Sequence, residues 1–412
     1  MLNQFKRNNI PKYKILALTM LLSALFSQDI KNKLGFQSNS NLSNQWWAIQ
    51  NNYGLKPSKV NFFYISNYQQ KKFGYNIKIL SSGNRAVINE SFLKFNLKNN
   101  SHIKIGKYYR DFSSYLNDEL TSGSLLISYN AEPMQKIGFI TSYNFKENMK
   151  YSLNFGIAHG VFDKNEIYKS KPMLHEKFIY LNYINKNYEL GMGFVHEAMW
   201  GGETENYGKF PTGFKDFLKI LISADGPLLD GESHANALGN HLGIWDFYYK
   251  KNNGDKILKI YYQHFFEDTS GLRFANKFDG LWGIELNNYI KNTILLVEYL
   301  STINQDPNSD YLIDSYYNHT EYTLGWSYKN YTLGNPYIDH LDQNPLEALH
   351  IGIAFDDSKK YHYKFLVNRK VNTNDYWKYK FILGKKIKKT VFDVIIIGGE
   401  KNTVGIKMSY NL

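Results

Sequence analysis

From Val60 onward, apolar and polar residues alternate with a period of two. Val60, Phe62 and Tyr64 share one parity, and Phe73, Tyr75, Ile77 and Ile79 alternate with Gly74, Asn76 and Lys78. Such alternation puts every second side chain on one face of an extended strand. Val87, Leu93, Phe95 and Leu97 share a parity, Ile103, Ile105 and Tyr109 follow, and turn residues punctuate the series at Ser82-Gly83-Asn84 and Lys98-Asn99-Asn100. Further strands are predicted over 123–130, 137–145, 151–159, 174–185, 188–197, 242–251, 257–266, 279–290, 293–302, 319–329, 346–355, 361–370, 376–385 and 391–398. The last is Thr403 to Leu412, where Val404, Ile406, Met408, Tyr410 and Leu412 line one face. A terminal strand with one greasy side suits a closed barrel, whose last strand pairs with its first and leaves no open edge.

The pattern therefore predicts an all-β fold: a transmembrane antiparallel β-barrel of about 18 strands, with short helical plug or cap elements, occupying 60–412. The series contains nineteen segments, whereas a single-chain bacterial barrel takes an even number. One is excess, and the turn-rich stretch Asn304 to Glu347 is the suspect. The longest break, 199–241, carries Phe214, Phe217, Leu218, Leu221 and Ile222 at helical spacing after Pro211 and Gly213. We expect a short amphipathic helix there, folded in as a cap or plug. Short turns at Lys291-Asn292 and Asn252 to Lys256 place this insertion outside the cell, because short turns are periplasmic and long loops extracellular.

The N-terminus fits export. Lys6, Arg7, Lys12 and Lys14 precede an apolar run from Ile15 to Phe26 and then Ser27, the layout of a signal peptide over 1–27. The run is shorter than the roughly 20 apolar residues of a membrane helix. Residues 28–59 lack alternation and read as a periplasmic lead-in. The chain has no cysteine, hence no disulfide framework and no lipid-attachment thiol. Its 34 Tyr, 27 Phe and 7 Trp suit the aromatic girdles of an outer-membrane barrel. The formal charge of +12 accompanies a bias toward Lys, Asn and Ile and gives no reason to invoke nucleic acid. The Gly405, Met408, Tyr410 spacing resembles the terminal signal by which the barrel-assembly machinery recognises such chains, so that machinery and outer-membrane lipid are expected partners.

The segments SGSLLISYNAEP (Ser122 to Pro133), GFKDFLK (Gly213 to Lys219), NALGNHLGIWDF (Asn236 to Phe247) and YYQHFFEDTSGLRFANKFDGLWGIE (Tyr261 to Glu285) resemble the Wzi family of capsule-assembly proteins, especially its Bacteroidetes-type members. The resemblance implies an eighteen-stranded outer-membrane barrel with helical elements closing one end. It also implies a lectin that holds capsular polysaccharide or exopolysaccharide on the cell surface. It carries no set of sugar-contacting residues.

Candidate contacts come instead from the alternation. With Leu190, Met192 and Phe194 facing lipid, Glu197 faces the lumen, and the same reasoning turns Asp246, Gln263, Asp279 and Glu285 inward. Carboxylates and amides pair with adjacent sugar hydroxyls, although such groups also build structural networks in barrel lumens. The loop Glu267 to Asn276 offers Asp268 and Arg273, either as an internal salt bridge or as a bidentate hold on an acidic sugar. Asn240 and His241, with Asn236, form a further polar cluster. Enzymatic readings are weak: His196-Glu197 opens like a zinc-protease motif, but Trp200 stands where the second ligand belongs. No metal or cofactor is called for. The pair Glu197 and Glu203 would suit glycoside hydrolysis only at a defined separation. A passive or substrate-specific porin is the alternative, distinguished by an open lumen.

Overall fold

The computed structural model describes residues 30–40, 52–56, 58–83, 85–145, 150–226, 237–267, 269–305, 315–342, 344–357, 360–399 and 402–412. The expected signal peptide lies outside them. The barrel begins with β1 (Lys31–Asn39), β2 (Val60–Gln69) and β3 (Phe73–Ser82). The pieces Arg85–Ile88 and Ser91–Asn96 both pair with β3 and form one interrupted strand, β4. There follow β5 (His102–Lys107), β6 (Gln135–Asn144), β7 (Tyr151–Val161), β8 (Met173–Ile184), β9 (Tyr188–Trp200), β10 (Asn240–Asn253) and β11 (Lys256–Phe266). The circuit continues through β12 (Gly280–Asn287), β13 (Thr293–Ser301), β14 (Glu347–Asp356), β15 (Tyr361–Lys370), β16 (Lys378–Ile387), β17 (Thr390–Gly398) and β18 (Thr403–Asn411). Every pairing is antiparallel, and β18 closes the ring on β1 from Lys33↔Asn411 to Asn39↔Gly405.

Eighteen strands emerge because two expected segments drop out and one unexpected segment enters. Lys31–Asn39 is the first barrel strand and not part of a lead-in. Leu34 and Phe36 are its only large apolar outward residues, between Lys31-Asn32-Lys33 and Ser38-Asn39, so its alternation is too short to stand out. Conversely, 123–130 is not a strand, and of 319–329 only Ser327–Tyr328 is extended, in a two-residue hairpin with Tyr331–Thr332. Both segments run inside the barrel. There, residues of either parity are covered, so apolar runs such as Leu125-Leu126-Ile127 need no sheet to bury them.

Connections from even to odd strands are turns of two to six residues. Those from odd to even strands include 108–134, 201–239 and 302–346. All long excursions therefore lie at one end of the barrel, and β1 starts and β18 finishes at the other. In outer-membrane barrels the short turns face the periplasm, so the end that carries the long excursions is taken as the outer one.

The lumen is a packed core. Residues 108–134 and 315–342 fold into it and bind each other: Tyr317 OH donates to Leu125 O at 2.5 Å, Trp326 Nε1 to Leu126 O at 2.9 Å, and Asn335 Nδ2 to Gly123 O at 2.7 Å. Around them close the inward residues Val195, Leu242, Ile244, Phe265, Leu281 and Leu296, all fully buried. Outward residues are apolar and exposed at the barrel surface, as at Ile406, Met192 and Ile137, the pattern of a lipid-facing wall.

The amphipathic helix, α1 (Phe214–Ile222), is present but is not the plug. Phe217 rests on His159, His175 and Trp200, with ring centroids 5.4 to 5.6 Å apart, and Ile220 packs against Ala198 and Trp200. These partners share the outward parity of β7, β8 and β9. The helix thus lies on the outside of the wall near the outer rim. The expectation that it folds in as a plug fails because the outer wall itself covers it: His175 and Ala198 form a shelf on which it sits. Asp216 Oδ2 accepts the Gly213 N–H at 2.9 Å at its start, and Lys177 Nζ donates to Leu221 O at its end.

Candidate functional site

The inward acids of β10 to β13 converge on the plug. Asp246 Oδ2 accepts from Ser113 Oγ and Tyr180 OH, each at 2.6 Å, and Oδ1 accepts from Tyr115 OH. Burial and the neighbouring Asp246 push the Tyr115 phenol well above its usual pKa, so it remains a donor. Gln263 Nε2 reaches Ser113 Oγ at 2.9 Å and Asp246 Oδ2 at 3.5 Å, while its Oε1 accepts the Leu125 N–H at 3.0 Å. Glu285 pairs with Lys259 at 3.0 Å, and Lys259 also donates to Tyr115 O at 2.6 Å.

Asp279, just before β12, accepts from Tyr316 OH and the Asn304 N–H at 2.9 Å, from Asn304 Nδ2 at 3.1 Å and from Ser301 Oγ at 3.2 Å. It ties the other luminal segment to the wall. Glu298 on β13 was not singled out from sequence, yet it accepts from Thr121 Oγ1 at 2.5 Å, the Ser122 N–H at 2.7 Å and Tyr261 OH. The alternation of Val297, Glu298 and Tyr299 carried the same inward signal.

Asp246, Gln263, Asp279, Glu285 and Glu298 thus form a ladder of buried acceptors engaged by the protein's own donors, with Glu285 Oε2 left without a partner among the described residues. Glu197 is also buried in the lumen, directly opposite Glu176 on β8. Glu176 pairs with Lys136 at 2.7 Å, while neither Glu197 oxygen accepts a hydrogen bond among the described residues.

The remaining candidates are elsewhere. Asn240 is buried at the outer end of β10, and His241 faces outward, its Nδ1 2.9 Å from His196 Nε2, beneath the segment that follows α1. Asn236 and Asp268 lie outside the described residues. Arg273 is exposed, immediately after the single turn α2 (Thr269–Leu272). Phe274 stacks there on His264, at 4.1 Å, and near Trp245. This loop drapes over the outer wall as α1 does, forming a collar at the rim. One polar cluster at the outer end escaped sequence reasoning because its members come from four separate stretches: buried Glu132 binds Arg85 and Lys329 at 2.8 Å and Lys107 at 3.5 Å. Among the described residues no group of three or more His, Asp or Glu is arranged to hold a metal ion.

A barrel of this strand number with an internal plug narrows the relatives sharply. The capsule assembly protein Wzi family matches residues 23–344. This chain belongs to the Wzi family. Among solved structures, Escherichia coli Wzi, described as an outer-membrane protein involved in group 1 capsule assembly and as a carbohydrate-binding β-barrel, is similar. It is 14% identical, with a TM-score of 0.61, and the match covers 97% of this chain and 87% of that one. A mutant of Rh. blastica porin is 9% identical over 93% of this chain and 99% of the porin, and its TM-score of 0.40 carries no argument. No curated protein sequence matches the chain. As a Wzi-family member with eighteen closed strands, the chain is an outer-membrane β-barrel.

Proposed function

We propose that the barrel binds exported capsular polysaccharide or exopolysaccharide at its outer surface and holds it on the cell. The observation that carries this reading is the packed lumen. Segments 108–134 and 315–342 occupy it with buried Trp326, Tyr317 and Leu125, which favours a surface lectin over the porin alternative. Because the lumen is packed and Asp246, Gln263, Asp279 and Glu298 are engaged by donors of the luminal segments, the polymer meets the long loops at the outer end. Among the described sequence candidates, Arg273 is exposed there, with a guanidinium suited to an acidic sugar. A hydrolytic role finds no support, since Glu197 is enclosed and a glycosidase needs both carboxyls within reach of substrate.

The test compares cell-associated and released polysaccharide in the wild type, a gene deletion and Arg273→Ala, with barrel abundance checked by heat-modifiable migration. Deletion should shed polymer. Arg273→Ala should shed part of it, since one lost charged contact weakens each site by roughly 1.5 to 3 kcal/mol and multivalency masks some of that loss. An unchanged partition on deletion, with conductance of the purified barrel in planar bilayers, would replace the lectin with a porin.

A further inference from the structure

On the outer wall, just below the rim, the outward faces of β4 to β9 form a groove of about 990 Å³, at the upper end of the range of about 300 to 1,000 Å³ usual for small-molecule sites. Its floor is Ile105, Ile137, Val161 and Met173, and Trp200 with Phe217 of α1 builds one wall. Ile105, Ile137 and Val161 share the parity of Phe155 and Ile157 farther down β7, which are exposed on the lipid-facing belt. The groove is therefore continuous with the surface that the membrane covers. Helix α1 continues it: Phe214 and Ile222, 75% and 73% exposed, lie on the side away from the wall, as in a helix that beds into a membrane interface.

The outer edge of the groove is cationic. Lys107, at the end of β5, lines it and donates to Ile88 O at 3.2 Å. Its carboxylate neighbour Glu132, 3.5 Å away, is already engaged at 2.8 Å by both Arg85 and Lys329. Three cations share one buried carboxylate, and even with Asp163 3.4 Å from Lys329 the cluster keeps a positive excess where headgroups lie.

An apolar trough below and an excess of positive charge above match an amphiphile standing in the outer leaflet. We propose that this groove binds a phosphorylated, acylated lipid of the outer leaflet, an acyl chain lying along Ile105, Ile137 and Val161 against Phe217 and the phosphate meeting Lys107. The site is separate from the glycan surface, and its failure would leave the polysaccharide reading untouched.

The test is native mass spectrometry of the refolded barrel in detergent, titrated with dioleoyl phosphatidic acid or with dioleoylglycerol. The wild type should retain phosphatidic acid more strongly than the uncharged lipid. Ile137→Trp, which fills the trough, should lower retention of both at least about tenfold. Lys107→Gln should lower phosphatidic acid about tenfold, the factor expected for one charge-assisted hydrogen bond, and leave dioleoylglycerol unchanged. Folding is checked by heat-modifiable migration, and Val161→Trp replaces Ile137→Trp should the latter not assemble. Wild-type retention of both lipids by a folded trough-filling variant overturns the proposal. An unchanged preference for phosphatidic acid in Lys107→Gln overturns the headgroup contact.

Discussion

Asp246 is the acceptor on which the first luminal segment hangs, and Asp246→Ala should release that segment. The substitution strands three hydroxyl donors, buried Ser113 and Tyr180 and half-buried Tyr115, two of which belong to the plug. Each stranded donor costs about 1 to 3 kcal/mol, but the three are not additive and water enters as the segment lifts. Removing one side of a buried charged network typically costs about 3 to 5 kcal/mol, which shifts the docked-to-undocked ratio by about two to four orders of magnitude. Asp246→Asn retains an acceptor oxygen and should cost roughly 1 to 2 kcal/mol. The assay is single-channel conductance in planar bilayers, paired with limited proteolysis within 108–134. Asp246→Ala should conduct in bursts and be cut there, with Asp246→Asn between it and the wild type. A folded Asp246→Ala barrel that is as electrically silent and as protease-resistant as the wild type would refute the role given to this carboxylate.

Other predictions follow from single positions. At the end of β18, Tyr410→Asp with Leu412→Asp just beyond it puts charge on the lipid face at a depth-dependent cost of up to about 4 kcal/mol, and should abolish outer-membrane insertion, read by cell fractionation. Gly193→Val should block assembly, because a Cβ there would lie 2.2 Å from the Tyr180 ring; heat-modifiable migration reports it. His319 Nδ1 accepts the N–H groups of Glu321 and Tyr322, each at 3.2 Å, and burial lowers its pKa to about 4 from 6.5. The unfolded segment therefore binds the proton first. The contribution of this turn is complete above about pH 6.5 and lost as pH falls through about 4. After correction for the slower intrinsic exchange at low pH, the protection factors of 315–342 should fall on acidification in the wild type but not in His319→Asn, whose amide oxygen can still accept.

Most of the wall was legible from the chain alone, because a strand between lipid and a covered interior must alternate, and alternation survives in the residue order. It also assigned faces correctly where the signal was long: Glu197, Asp246, Gln263 and Glu285 do point inward. It failed for Lys31–Asn39, where two large apolar outward residues are too few, and for 123–130 and 319–329, where apolar runs are buried by the barrel and not by strand pairing. Nothing local could show that the inward acids serve the plug, since Ser113 and Asp246, or Thr121 and Glu298, meet across more than a hundred residues. The same holds for α1. Its sequence determined that it is an amphipathic helix, but which wall covers it depends on His159, His175 and Trp200 being brought side by side by strand register, a property of the closed sheet.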